Sequence, residues 1–400
     1  MNKVYDVLVI GGGAAGMFFA IIAAENGKSV GIMEKNEAPG KKILATGNGK
    51  CNFTNTQWSE DSLRGDKDFA YNIYNKFDYK KTLEYFEELG IYHYERNGYC
   101  YPYSRQAKAV NDCLLHKLYK LGVDIINNSY VLEIYKDDEF EVKVQEGEEI
   151  KKYYGQNIVL ATGGKSYKSL GSDGSGYTIA KKMGHSITDL FPALVKLNVK
   201  ENIKALEGVR VMAKVTLKTA NTMYSSRGEI IFGKNSISGI PVFEISRYCG
   251  EANSKGEEVS LSIDFFPDMD REELVNMLSI RKTNISEKTY RLLIGLLNDK
   301  IASYYSNSKE NSDINVLVSK LKEFTFVGVV PGGFDMAQVS AGGVDTKEID
   351  ADTMESKIVK GLYFAGEIVN VDGNCGGYNL QWAWSSAYVA ACAIAGMKGQ

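Results

Sequence analysis

The sequence predicts an α/β fold: parallel strands that each run into glycine, interrupted by an inserted region of different periodicity. Three observations predict it. The apolar run at residues 4–10 leads straight into Gly11-Gly12-Gly13-Ala14-Ala15-Gly16 and then into an apolar helical stretch. Two later apolar runs, Asn157–Ala161 and Gly361–Phe364, also end in glycine, at Thr162-Gly163-Gly164 and Gly366. Between them, near Pro192, the hydrophobic period falls to two and then turns helical.

Val4 to Ile10 reads as a central parallel strand, because such strands are covered on both faces and lose the polar alternation. Gly11 to Gly27 then reads as a tight turn and a helix closed by Gly27, and Ser29 to Met33 as the next strand. Asp68 to Leu89 has helical spacing through Phe69, Ile73, Phe77, Leu83, Phe86 and Leu89, and Ala107 to Leu121 follows as another helix. From Asp124 to Tyr154 the alternation and the Asn127-Asn128 turn signal predict an antiparallel meander, with a separate buried strand at Asn157–Ala161. The outer domain is expected over 1–190 and 335–400. The insert is expected over 191–334, with a β part to about 267 and a helical part from about 268.

Composition narrows the class. The chain has 400 residues, with 47 basic against 50 acidic side chains, so it is neither a uniformly basic nucleic-acid binder nor a disordered acidic protein. Forty glycines exceed the usual share of about 7%. The six cysteines form no C-x-x-C pair, which fits a reducing cytoplasm, and the three histidines have no ligand spacing, so no metal site is expected. Val7–Ala24 and Trp382–Met397 are uncharged. Glycines break the first and the second is short, so no membrane partner is expected.

The first glycine motif carries chemistry. Gly11 permits the turn, Gly13 lets the backbone approach a pyrophosphate, and Gly16 lets helix and strand pack closely. Ala14 and Ala15 open the helix, whose free N–H groups and dipole favour phosphate. Glu34 ends the next strand, where a carboxylate accepts from ribose hydroxyls, with Lys35 beside it. A second motif, Gly40 to Asn55, crowds small, polar and basic residues into one loop suited to a second phosphate and a ring edge. It includes Lys42, Gly47, Asn48, Gly49, Lys50, Cys51 and Asn52. Three strand-to-glycine endings, with Ala161, Thr162 and Gly163 in one and Gly366 and Glu367 in another, point to an extended ligand such as FAD. The stretch Val371 to Trp384 leads through Gly376, Gly377, Tyr378 and Asn379 into the last helix, whose N–H groups suit the anionic edge of a reduced flavin. Val131, in the meander, completes the candidate cofactor contacts. Cys51, Cys375 and Tyr378 are the candidate catalytic side chains.

These residues resemble the bacterial flavoproteins known as the BaiN-like, YhiN or aminoacetone-oxidase type. The likeness runs through the N-terminal glycine motif, Thr46–Asn55, Ala161–Tyr167, Gly176–Leu197, Ala337–Val344 and Thr353–Trp384. It implies a glutathione-reductase-like, Rossmann-type FAD domain interrupted by a β-barrel-like and a helical region. The chain departs from the family pattern with Lys50 for Arg, Asn370 for Asp, Cys375 for Thr, and Lys234 where a His is usual. Lys234 cannot act as a near-neutral acid without a large shift of its pKa.

No second strand-linked G-x-G-x-x-G exists, so NAD(P)H, the expected electron donor, has no domain of its own. The leading expectation is reduction of an activated C=C bond by hydride from reduced flavin, with a side chain supplying the proton. The resemblance suggests enone steroids or bile acids as the small-molecule substrate. It also leaves open an O₂-linked amine oxidase of the aminoacetone type, and an rRNA uridine reductase with rRNA as partner.

Overall fold

The computed structural model describes residues 3–286 and 288–397. The chain forms two compact units: residues up to Leu190 with those from Val339 onward, and Phe191–Gln338.

The first unit begins with β1 (Val4–Ile10), α1 (Ala14–Glu25), β2 (Val30–Met33), α2 (Lys41–Ala45), β3 (Thr54–Asn55) and β4 (Leu63–Gly65). Next come α3 (Lys67–Lys76), α4 (Tyr79–Glu88), β5 (His93–Arg96), β6 (Tyr99–Pro102) and α5 (Ala107–Lys120). A run of strands follows, β7 (Asp124–Ile126), β8 (Ser129–Lys136), β9 (Phe140–Glu146) and β10 (Glu149–Leu160), then α6 (Ser175–Lys182). The inserted unit holds β11 (Phe191–Ala193), β12 (Leu197–Asn198), β13 (Arg210–Lys218), β14 (Met223–Phe232), β15 (Ser236–Ser238), α7 (Ile240–Ser254) and β16 (Ser260–Asp264). It continues with α8 (Arg271–Asn284), α9 (Thr289–Leu293), α10 (Asp299–Ser306), α11 (Ile314–Lys322), β17 (Phe324–Val327) and β18 (Val330–Pro331). The first unit resumes with β19 (Val339–Ala341), β20 (Leu362–Phe364), β21 (Val371–Gly373) and α12 (Tyr378–Ala395).

The main sheet of the first unit runs β7-β2-β1-β10-β9-β8, with β20 also on β10. β1 lies between β2 and β10, parallel to both, with Ile10 opposite Met33 and Leu160, so β1 is central as its unbroken apolar run requires. The aromatic face of α1 closes this core. Phe18 meets Phe77 at 5.4 Å, Tyr85 at 5.3 Å and Trp384 of α12 at 5.4 Å between ring centroids.

Several elements differ from expectation. The helix over 68–89 is two helices, broken at Phe77-Asp78, because the Asp78 carboxylate caps α4 by accepting from Lys81 N at 3.0 Å. β7 does not join the meander; it pairs parallel with β2. The expected strand at 157–161 is not separate. β10 is one twelve-residue strand whose first half pairs antiparallel with β9 and whose second half pairs parallel with β1 and β20.

In the inserted unit the sheet order is β17-β16-β13-β14-β15-β12-β18. The sheet is open, with no pairing between its end strands β17 and β18, in place of a barrel-like closure. Helix α7 falls in the stretch expected to be β, and β17 and β18 fall in the stretch expected to be helical. Among the described residues no helix is long and apolar enough to cross a membrane.

Candidate functional site

The carboxyl ends of β1, β10 and β20 meet in the first unit. Ala161 N donates to Ile10 O at 2.9 Å, and Ala365 N to Leu160 O at 3.1 Å. Three glycines are forced by this crowding. Gly11 has φ +105°, and a Cβ there would stand 2.6 Å from Ala161 O. One on Gly16 would stand 1.9 Å from Gly11 O, and one on Gly366, at φ +76°, 2.9 Å from the Ala15 methyl. Gly11, Ala15, Ala161 and Gly366 therefore form one cluster. Gly13 behaves differently. A Cβ there would meet nothing within 4 Å, so Gly13 borders open space at the start of α1, a terminus that no side chain caps.

Glu34, buried at the end of β2, is fixed from two sides. Its Oε2 accepts from Gly12 N at 2.8 Å, and its Oε1 from Asn36 N at 2.8 Å and Asn36 Nδ2 at 2.6 Å. Lys35 turns to Asp173 instead, at 2.7 Å. Val131 is buried on β8 beside a register shift between Val131 and Glu133. Thr162 faces α6, because a Cβ on Gly176 would stand 1.9 Å from its Oγ1, and Gly163 turns at φ +72°.

The loop after α2 is left-handed over most of its length. Gly47, Asn48, Gly49 and Cys51 have φ of +55°, +53°, +80° and +56°. Asn48 and Cys51 adopt a conformation that costs a non-glycine residue energy, and such strain gathers at functional sites. Lys42, on α2 just before the loop, pairs with Glu367 at 2.6 Å, while the other Glu367 oxygen accepts from Ser340 N at 2.8 Å. Lys50 is exposed. The Cys51 side chain is fully buried, and burial pushes its thiol up to about 12, against a smaller opposing hydrogen bond from Thr46. It is a neutral thiol at neutral pH.

The loop into α12 packs against this one. Asn55 Nδ2 donates to Gly376 O at 2.8 Å. A Cβ on Gly377, at φ +96°, would stand 2.7 Å from Thr54 O and 3.0 Å from Asn52 Oδ1. Asn379 pins the turn, accepting from Gly373 N at 2.8 Å and donating to Gly373 O at 2.9 Å. Tyr378 donates its hydroxyl to Gln57 O and sets its ring edge-on to Trp58 at 6.1 Å. Its proton is directed at main chain. Cys375 is half-buried.

Sequence reasoning missed Asn36, Ser340 and Ser386. Ser386 Oγ accepts from Gly366 N at 2.9 Å and fixes the third strand ending. Its signal was a polar Ser385-Ser386 pair inside an apolar helix. Ser340 carried none, since its partners are set by the fold, whereas Asn36 stands only two residues from the Glu34 it fixes.

The model of the HI0933-like protein Rossmann domain matches residues 5–393. The chain belongs to this HI0933-like family. Its relatives include a 3-dehydro-bile acid delta(4,6)-reductase of Clostridium scindens, 38% identical over 97% of this chain and 98% of the relative. Another is a ribosomal RNA dihydrouridine synthase of Escherichia coli, 31% identical over 97% of both chains. Among solved structures, the 3-ketosteroid delta1-dehydrogenase of Sterolibacterium denitrificans aligns over 99% of this chain and all of its own, with a TM-score of 0.56 and 12% identity. That level of identity speaks for the shared fold of the HI0933-like chain and not for its substrate.

Proposed function

We propose that the protein is an FAD-dependent reductase of a C=C bond activated by a conjugated carbonyl. The observation that carries the cofactor is the contrast among the glycines of the first motif. Gly11 and Gly16 are closed off by backbone, while Gly13 opens onto free space at an uncapped helix start, as a pyrophosphate cradle requires. The long likeness to the Clostridium scindens reductase supports an enone substrate of the steroid or bile-acid class.

FAD, when bound, supplies the two-electron store from which hydride leaves. The chain's own residues do the rest. Glu34, oriented by Gly12 and Asn36, keeps one acceptor site, on Oε2, for a ribose hydroxyl. The N-terminus of α1 holds phosphate. The N-terminus of α12, which no side chain caps, would offer its N–H groups to the electron-rich edge of the ring. Cys51 remains a neutral, buried thiol. Cys375 is left as the candidate proton donor, since Tyr378 spends its proton on Gln57 O. NAD(P)H is the proposed reductant, the inserted unit selects the substrate, and six cysteines, none of them in a disulfide, fit a reducing cytoplasm.

The rRNA dihydrouridine synthase among the relatives favours a second reading. Uracil C5=C6 is conjugated to the C4 carbonyl, so the same hydride transfer to a β-carbon serves either substrate. Anaerobic stopped-flow tests both. NADH or NADPH should bleach the yellow protein, and an enone should restore its colour. Bleaching by aminoacetone with none by either nicotinamide rejects the reductase reading. Recovery of colour with a uridine-containing rRNA fragment alone, steeply salt-dependent, selects the second reading.

A further inference from the structure

The hairpin of β5 and β6 has two unlike faces. Asn97 and Gly98, at φ +54° and +84°, form its two-residue turn, the backbone geometry such a hairpin needs. Side chains alternate across the pair. On one face Cys100 and Pro102 are buried and His93 sets its ring edge-on to Phe53 at 6.5 Å, which anchors the hairpin to the core. The other face is built of tyrosine. Tyr94 lies opposite Tyr101 and Arg96 opposite Tyr99, and one rung further Tyr103 N donates to Tyr92 O at 2.8 Å. Tyr94 and Tyr101 stack at 5.6 Å between ring centroids, with Tyr103 edge-on to Tyr94 at 6.5 Å. Packing does not account for these rings, since Tyr92 is 66% and Tyr103 74% exposed.

Two cations border the rings. Arg105, held at φ +55°, puts its guanidinium 5.0 Å from the centre of the Tyr94 ring, and Arg96 stands at the turn end. Both are exposed, and neither has a carboxylate partner among the described residues. The rings also run up to the candidate site. A Cβ on Gly47 would stand 3.5 Å from Tyr101 Cε1, and one on Gly376 3.2 Å from Tyr99 Cε1. Ring faces flanked by guanidinium groups suit unpaired bases on a phosphate chain. A lone small molecule is held in a concavity, whereas this face is open and spreads over three cross-strand pairs. We propose that it is a docking platform for single-stranded RNA, with bases stacked on the tyrosines and phosphates on Arg96 and Arg105. The choice of RNA rests on the rRNA reading above, under which a strand laid along β6 leads to the loops assigned to the flavin ring.

The test titrates FAD-bound protein into a fluorescein-labelled, uridine-rich RNA of about 12 nucleotides, single-stranded or annealed to its complement, followed by anisotropy. The single strand should bind roughly tenfold or more tightly than the duplex. Tyr92→Ala and Tyr103→Ala should each weaken it by about 5- to 100-fold, while Tyr103→Trp keeps a ring and keeps binding. Tyr119→Ala, equally exposed on α5, should bind as wild type does. Arg96→Gln and Arg105→Gln should each flatten the log–log salt slope by about 0.7, and Arg96→Gln carries the test if the tyrosine variants do not fold. Failure of wild type to bind, equal affinity for strand and duplex, or full binding by the tyrosine variants overturns the proposal. So does a loss of NADH or NADPH affinity in those variants in place of RNA affinity. Mixing the strand with reduced protein tests the rRNA reading separately. Platform-dependent binding without return of flavin colour keeps the platform and rejects uridine as substrate. Colour restored equally in the tyrosine variants keeps the substrate and rejects the platform.

Discussion

Lys42 and Glu367 lie 325 positions apart in sequence, yet their charged ends meet at 2.6 Å, three-quarters or more buried. The pair ties α2, which leads into the left-handed loop, to the turn that follows β20. Glu367→Gln or Lys42→Gln should each lower stability by about 1–3 kcal/mol and weaken FAD binding. The double variant should cost less than the sum, because each single change leaves the other charge unpaired. Additive losses in urea denaturation reject the coupling.

Gly13 and Gly16 should separate binding from folding. Gly13 has φ −80° and ψ −167°, which any residue adopts, and faces open space. Gly13→Leu should leave the flavin-free protein within about 0.5 kcal/mol of wild type and abolish FAD uptake. Gly16→Ala puts a methyl 1.9 Å from the Gly11 carbonyl oxygen and should destabilise the protein by about 1–3 kcal/mol with or without flavin. Thermal melts of both forms check this; equal effects of the two variants reject it.

Cys51 should resist alkylation. Thiolate is the reactive form, and this thiol is fully buried with its pKa pushed up to about 12. Native protein treated with iodoacetamide at pH 8 should show no modification of Cys51 by peptide mass spectrometry until it is unfolded.

His185 makes stability fall in mild acid. Its buried ring bonds Ser356 Oγ at 2.9 Å through Nε2 and Glu348 Oε2 at 3.2 Å through Nδ1. Burial lowers its pKa from 6.5, and the Glu348 carboxylate only partly offsets this. Glu348 also lies below its usual 4.5: burial acts against this, but the Ser186 backbone and side chain together with His185 hold it down. Both groups bind fewer protons folded than unfolded, so the stability they contribute is complete above about 6.5 and is lost as pH falls, first through His185 and then through Glu348. Urea midpoints should drop between pH 7.5 and 5.5, and His185→Gln should flatten that drop.

The glycine-ended strands were legible because each lies within a short run of sequence. The break before α4 was not, since helical spacing continues through Phe77 and only the Asp78 cap interrupts it. The fate of β7 could not be read either: three residues with strand character pair wherever topology puts them, here with β2. β17 and β18 reach their sheet from far along the chain, and no local period announces that. In the site, the backbone cradles were visible as glycine patterns. The contacts that fix them, Lys42 with Glu367 and Asn55 with Gly376, join residues whose proximity only the folded chain creates.

The aromatic face of α1 is finished by Trp384, on the far side of the whole inserted unit in sequence. On a ribosome adding about 5–20 residues per second, the nucleotide-binding half therefore waits roughly 9–37 s, the time needed to synthesise residues 191–377, before its partner helix can begin to emerge. During that wait Phe18 lacks one of its aromatic neighbours while the insert is free to fold first. A nascent chain stalled before α12 should bind chaperone, and one released after it should not.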